Sequence, residues 1–240
     1  IITMPGREDI FQKAMNEGHS AAWDQEWGKA AAAYRKALQE MPDNPKALNS
    51  LGLALFQQAN FEEALQIYKR AAQVSPQDPS PMEKLAQLLE RTGRLKEAID
   101  AATRAAGLFL NQRDIDKAIE NWVRVTMLDP EHIMAHSRLA LAHERLGHKS
   151  RAVAEYIAVA SLVQRTGNLQ KTAELVKKAL QIHPESEEAQ QALNLLRGGQ
   201  LLPKPLRPKG GTGPIAMAQV KQLDQPKKEA DSGLDPIAEA

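Results

Sequence analysis

Leu48, Leu51 and Leu55 fall at i, i+3 and i+7, and a few residues on Ala64, Leu65, Tyr68 and Ala71 fall at i, i+1, i+4 and i+7. Such spacing lines apolar side chains along one stripe of an α-helix, whereas a half-buried strand would alternate. The pattern predicts a helix opening at Pro45, a break at Gln58-Ala59-Asn60 and a second helix that Pro76 closes, since proline cannot continue the hydrogen-bond ladder. Gly52 lies inside the first stripe, where glycine costs about 1 kcal/mol relative to alanine. The expected compensation is close approach of two antiparallel helices, with Gly52 facing Ala64 and Ala71.

The pair recurs. Shifted back by 34, Gly18, Ala30, Tyr34, Ala37 and Pro42 fall on Gly52, Ala64, Tyr68, Ala71 and Pro76; shifted forward, Ala86, Ala98, Ala102 and Ala105 take the same places. From residue 79 the period becomes 54. Glu90-Arg91-Thr92-Gly93 aligns with Glu144-Arg145-Leu146-Gly147, Ala98 with Ala152, and Pro130 with Pro184. Each 54-residue unit predicts three helices, at about 80–92, 95–110 and 114–127, then 133–146, 149–165 and 169–182. The middle helix fits the register twice, as the second helix of one repeat and the first helix of the next, leading to Ala118, Trp122 and Val125. Two overlapped repeats sharing a helix, or two repeats with one helix lost, account for this equally, and either predicts a local departure from a regular superhelix.

The unit resembles the tetratricopeptide repeat, a 34-residue helix–turn–helix with the pattern W-x2-L-G-x2-Y…A-x3-F…P. Leu51-Gly52 matches the L-G, Ala64-x3-Tyr68 the A-x3-F and Pro76 the closing proline, with Leu48 and Leu55 in the Trp and Tyr places. The resemblance implies an all-α, right-handed α-solenoid of helix hairpins followed by a Pro/Gly-rich tail. Its expected organisation is an N-terminal extension over 1–7 and a solenoid over 8–197. The solenoid would comprise repeats at about 11–44 and 45–78, units 79–132 and 133–186, and a capping helix 186–197; the tail is 198–240. The structural small positions would be Gly18, Ala30, Gly52, Ala64, Ala86, Ala98, Ala118, Ala140 and Ala152.

Composition narrows the function. The chain has no cysteine and carries 31 basic against 30 acidic residues, for a net charge of +1. A disulfide framework and a thiolate site are excluded, and there is no overall pull toward nucleic acid or anionic membrane. The first ten residues hold no apolar run of secretory-leader length, and no stretch of membrane-spanning length exists. The expected setting is cytoplasmic. The helix start at Asp235-Pro236, close to the last residue, leads to the expectation of a piece of a longer protein.

Catalytic and metal motifs do not form. HERLGH, residues 143–148, spaces its histidines five apart, about 140° around a helix, where H-E-x-x-H needs four. His136 and His143 occupy the Trp and Tyr places, so packing accounts for both, and no metal or other cofactor is expected. PKGGTGP lacks the Lys-Ser/Thr helix start of a phosphate loop. Trp23, Trp27 and Trp122 read as core or rim. From Gln200 the sequence LLPKPLRPKGGTGP reads as an extended segment, with residues 201–223 expected to lie on a solenoid surface in cis or on a neighbouring molecule. Residues 215–223 read as a short amphipathic helix.

In the family, first helices line a concave groove. By register, that implies groove positions at Gln12, Met15, His19, Lys46, Asn49, Leu53, Phe56, Glu83, Gln87 and Glu90, then at Met134, Ser137, Leu141 and Glu144. Met15 and His19 stand where the family's carboxylate clamp has Lys and Asn, so a chaperone-tail ligand is not expected. The expected function is a non-enzymatic scaffold or adaptor that takes a protein or peptide segment in the groove, without nucleic-acid binding or membrane insertion. The alternatives are a self-assembling structural subunit, a homo-oligomer or filament formed through the solenoid ends or a C-terminal tail that docks on a neighbour, and an interaction domain of a larger enzyme or signalling protein.

Overall fold

The computed structural model describes residues 5–206, with side chains from Arg7 onward. These form eleven helices and no strand: α1 (Pro5–Trp23), α2 (Trp27–Glu40), α3 (Pro45–Gln57), α4 (Phe61–Val74), α5 (Pro79–Arg91), α6 (Leu95–Asn111), α7 (Ile115–Leu128), α8 (Ile133–Arg145), α9 (Lys149–Arg165), α10 (Leu169–Ile182) and α11 (Glu187–Arg197). Each helix packs mainly on its neighbours in sequence, which is the quasi-one-dimensional stacking of a solenoid. Helix α1 begins at Pro5, ahead of the expected solenoid start at residue 8. The helices expected near 215–223 and from Asp235 lie outside the described residues.

Two kinds of turn join the helices along the stack, and their chemistry is local. One ends a helix with a residue at positive φ: Gln25, Ala59, Gly93, Arg113, Gly147, Gly167 and Gly199. In most of these the following N–H reaches back to the carbonyl five residues earlier, as in Asn60 N to Leu55 O at 2.9 Å and His148 N to His143 O at 2.9 Å. The other kind ends at Met41, Ser75, Asp129 and His183, each directly before Pro42, Pro76, Pro130 or Pro184. The residue before a proline is pushed out of the helical region, so the helix stops there.

Helices α6 and α9 have positive-φ turns at both ends. Each therefore packs as a hairpin partner of the helix before it and of the helix after it, in keeping with the double register of the middle helix in each 54-residue unit. Helix α11 is followed by the same turn, with Gln200 N bonded to Leu195 O at 2.8 Å. Where a partner helix would follow, residues 201–206 instead run without helical structure.

Gly52 is buried, but its reason is not the expected one. A Cβ at position 52 would lie 2.7 Å from Cζ of Tyr68. The small residue makes room for a buried aromatic ring rather than for Ala64 and Ala71. Gly18 stands in the same relation to Tyr34. Ala30, Ala64, Ala86, Ala98, Ala118, Ala140 and Ala152 are all fully buried.

Candidate peptide-binding surface

The expected groove residues do not share one environment. Leu53 on α3 is 41% exposed, Met134 and Leu141 on α8 are 60% and 44% exposed, and Gln12, His19 and Lys46 also face solvent. Met15 and Glu90 are corrections: at 4% and 9% exposure they are closed into the stack and present no free surface. Phe56 is half-buried and partly engaged, with the Arg91 guanidinium 5.4 Å from its ring centroid and Phe61 5.9 Å away. Asn49 is half-buried, and its Oδ1 has no hydrogen-bond partner among the described residues.

The groove carboxylates are committed within the chain. Glu83 reaches Lys117 at 3.8 Å, Glu90 accepts from Arg124, and Glu144 accepts from Lys178 and, at 2.6 Å, from the Tyr156 hydroxyl. Each cation lies 34 positions after its acid. The Lys178 and Tyr156 bonds hold the Glu144 carboxyl below its ordinary range, whereas burial and then Glu144 itself push the Tyr156 hydroxyl up. These acids join α5 to α7 and α8 to α10 and are not free hooks for a cationic ligand. Gln87 and Ser137 are half-buried; Gln87 accepts from Lys84 at 3.3 Å, and the Ser137 hydroxyl donates to Ile133 O at 2.8 Å.

The histidines pack, but one pair meets unexpectedly. His136 is buried, with Nδ1 2.6 Å from Glu155 and Nε2 2.9 Å from Pro130 O. Burial alone would lower its pKa; the carboxylate and the carbonyl outweigh burial and raise it. His143 and His148, spaced too widely for a zinc motif and parted by the turn expected at Gly147, have their Nδ1 atoms 3.4 Å apart, because that turn folds the chain back on itself. Burial, and then the charges of Arg151 and His148, lower the His143 pKa against the opposing pull of Glu155. No group of three or more metal-ligating side chains occurs among the described residues. Trp122 is core, whereas Trp23, expected in core or rim, is 89% exposed.

A cleft of about 490 Å³ opens between α5, α6 and α8 and is absent from the reading of the sequence. Met82, Leu108, Trp122 and Met134 supply apolar wall, and Arg104 and Arg138 stand on it. Neither guanidinium has an ion-pair partner among the described residues. Gly107 on α6 also lines the cleft, and a Cβ there would meet nothing within 4 Å. The sequence held one signal for it: Arg104 and Arg138 are one repeat length apart, and Gly107 is one repeat length before Leu141.

Helix hairpins stacked in a line around alternating small and large core residues define an α-solenoid of repeats. Two family models described as tetratricopeptide repeat match the chain, one over residues 15–79 and 105–164, the other over 55–107. The first alone spans more than half of the chain, and the chain belongs to the tetratricopeptide-repeat family. A comparison with curated proteins gave no match. Among solved structures, the chain is similar to MamA, at 19% identity over 74% of this chain and 94% of that one, with a TM-score of 0.41. It is also similar to the TPR domain of Arabidopsis OM64, at 19% over 50% and 97%, TM-score 0.45. A third is an O-GlcNAc transferase mutant of Thermobaculum terrenum, at 19% over 60% and 27%, TM-score 0.48. No helix among the described residues is long and apolar enough to cross a membrane.

Proposed function

We propose that the chain is a non-enzymatic adaptor that holds a peptide segment of a partner along the face formed by its first-register helices. One observation carries the reading. Leu53 and Leu141 occupy the same register position in different repeats, and both leave more than 40% of their surface in water. A single exposed leucine needs no explanation, but two at one register position offer apolar contacts on separate repeats. Lys46, two turns before Leu53 on α3 and exposed, adds a polar group for an extended or helical segment. The test is selection of binders from a random peptide library, followed by fluorescence polarisation. The double substitution Lys46→Glu with Leu53→Asp changes only surface residues and should weaken the selected peptides about tenfold or more. A library that yields no binder, or binders indifferent to every first-helix substitution, overturns the reading.

Self-association is a second reading, favoured by Trp23, a large apolar ring left 89% exposed at the end of α1. Light scattering that gives the 26.4 kDa monomer at every concentration excludes it.

A further inference from the structure

Gly52 and Gly107 are both helix-interior glycines, and only one has a packing reason. Gly52 is held small by the Tyr68 ring, whereas a Cβ on Gly107 would stand in open space. Position 107 takes the register place that Leu53 and Leu141 fill with leucine. A glycine there weakens the helix and returns no contact in the fold. What its missing side chain leaves is room in the cleft between α6 and α8.

The walls of that room say what would fill it. Met82, Trp122 and Met134 offer an adaptable apolar surface, since methionine repacks around varied shapes. Arg104 and Arg138 project from two helices one repeat apart, with no acid paired to either among the described residues. Asp78 is the one carboxylate lining the cleft among the described residues, and it already caps α5, accepting from Ser80 N at 2.9 Å. A smaller hollow beside it shares Leu110, Trp122 and Arg138 and adds Arg145, so the positive character continues along α8. Free guanidiniums over an apolar floor complement a carboxylate flanked by aliphatic side chains, and arginine meets carboxylate with paired parallel bonds.

We propose that the α6–α8 cleft, kept open by Gly107, binds an acidic–aliphatic peptide segment of a partner protein, its carboxylates on Arg104 and Arg138 and its aliphatic side chains against Met82, Trp122 and Met134. The proposal rests on the reading of the chain as a peptide-binding adaptor and names the chemistry of the partner. A basic or uncharged segment would leave both arginines unmatched.

The experiment uses the whole 240-residue chain and a fluorescein-labelled peptide, Leu-Glu-Leu-Leu-Asp-Met, with an amidated C-terminus. Its control carries Gln and Asn in place of Glu and Asp. Fluorescence polarisation should show saturable binding that weakens about tenfold for the control peptide and about tenfold for Arg104→Gln or Arg138→Gln. Binding should also weaken as salt rises. Gly107→Phe should abolish binding by filling the room, while Gly107→Ala should keep it and raise the melting temperature. The arginine substitutions lie on the surface, so they test the site even where Gly107→Phe disturbs the fold. Equal affinity for the acidic and amide peptides overturns the charge assignment, and equal affinity of all variants overturns the site. If the acidic peptide does not bind while library peptides bind through Lys46 and Leu53, the cleft proposal falls and the adaptor reading stands. If neither binds, both fall.

Discussion

The Tyr68 ring occupies the space that a side chain at position 52 would need: Cζ lies 2.7 Å from where a Cβ on Gly52 would stand. Real Cβ contacts are not that short, and Tyr68 is itself 2% exposed, so the ring has no free direction in which to retreat. Gly52→Ala therefore sets two terms against each other. The helix gains about 1 kcal/mol in propensity. Overpacking a closed core costs about 1–3 kcal/mol. The clash wins, and urea unfolding should show Gly52→Ala destabilised by about 1 kcal/mol, with Gly18→Ala behaving alike through Tyr34. Tyr68→Leu should lose stability alone and lose its penalty in combination with Gly52→Ala. Additive effects of the two substitutions would show that they do not share the space.

Much of the architecture was legible because its causes are local. Pro76 ends α4 wherever the chain goes afterwards, because a pyrrolidine has no N–H and clashes with the preceding turn. The double register of α6 was visible in the spacing of Ala102, Ala105, Ala106 and Phe109. The environments of side chains were less legible. Sequence put a small residue at 52 but did not say that a ring from the next helix would turn onto it. It put Glu90 on the open side of α5, yet Arg124 of α7 closes over that carboxylate. The cleft beside Gly107 depends on helices that are neighbours in space but separated in sequence, so no local pattern announced it.

The turns offer a second prediction. Ala59 sits at φ 59°, as do Gln25 and Arg113 at φ 60° and 63°, where Gly93, Gly147, Gly167 and Gly199 hold the equivalent position in the other turns, Gly147 with φ 72°. A side chain in the left-handed region costs roughly 1–2 kcal/mol. Ala59→Gly removes that strain, although the more flexible unfolded chain takes part of the gain back. The net expectation is a stability increase of about 0.5 kcal/mol for Ala59→Gly and a loss of about 1 kcal/mol for Gly147→Ala, both read from urea midpoints with unchanged slopes. A loss of stability for Ala59→Gly would show that the methyl group makes a contact worth more than the strain.

His136 and His143 should titrate on opposite sides of the ordinary histidine value of about 6.5. The raised pKa of His136 means that the folded state holds a proton the unfolded chain gives up. Its stabilisation is complete below about pH 6.5 and is lost as pH rises through the folded value. The lowered pKa of His143 acts in reverse: its neutral ring suits the fold, and stability falls as pH drops from about 6.5 through the folded value. Histidine-resolved NMR titration should find the two pKa values separated in that order. Glu155→Gln should bring the His136 value down and remove the acid-side stabilisation. A His136 value that stays raised in Glu155→Gln would show that Pro130 O alone sustains it.

The segment after α11 closes the end of the stack with a backbone clamp. Leu202 is fully buried; its N–H donates to Gln164 Oε1 at 2.7 Å, and its carbonyl accepts from Arg165 Nη2 at 2.8 Å and from the Ser161 hydroxyl at 3.3 Å. Gln164 Nε2 donates in turn to Gln200 O at 2.9 Å, so one amide reads both polar groups of the segment. Residues 201–206 thus lie on the solenoid in cis, while 207–223 fall outside the described residues. Since each repeat contacts only its neighbours, the stabilisation should be local. Leu202→Ala removes a buried leucine, worth about 2–5 kcal/mol where the site does not collapse. Hydrogen exchange should then accelerate in α9, α10 and α11 and stay unchanged in α1 to α4. Gln164→Leu keeps the bulk, deletes both backbone bonds and should reproduce the same pattern. Exchange that accelerates evenly along the chain would mean that the solenoid opens as one unit and that the segment is not a local cap; exchange that does not change would mean that Leu202 leaves its site in solution.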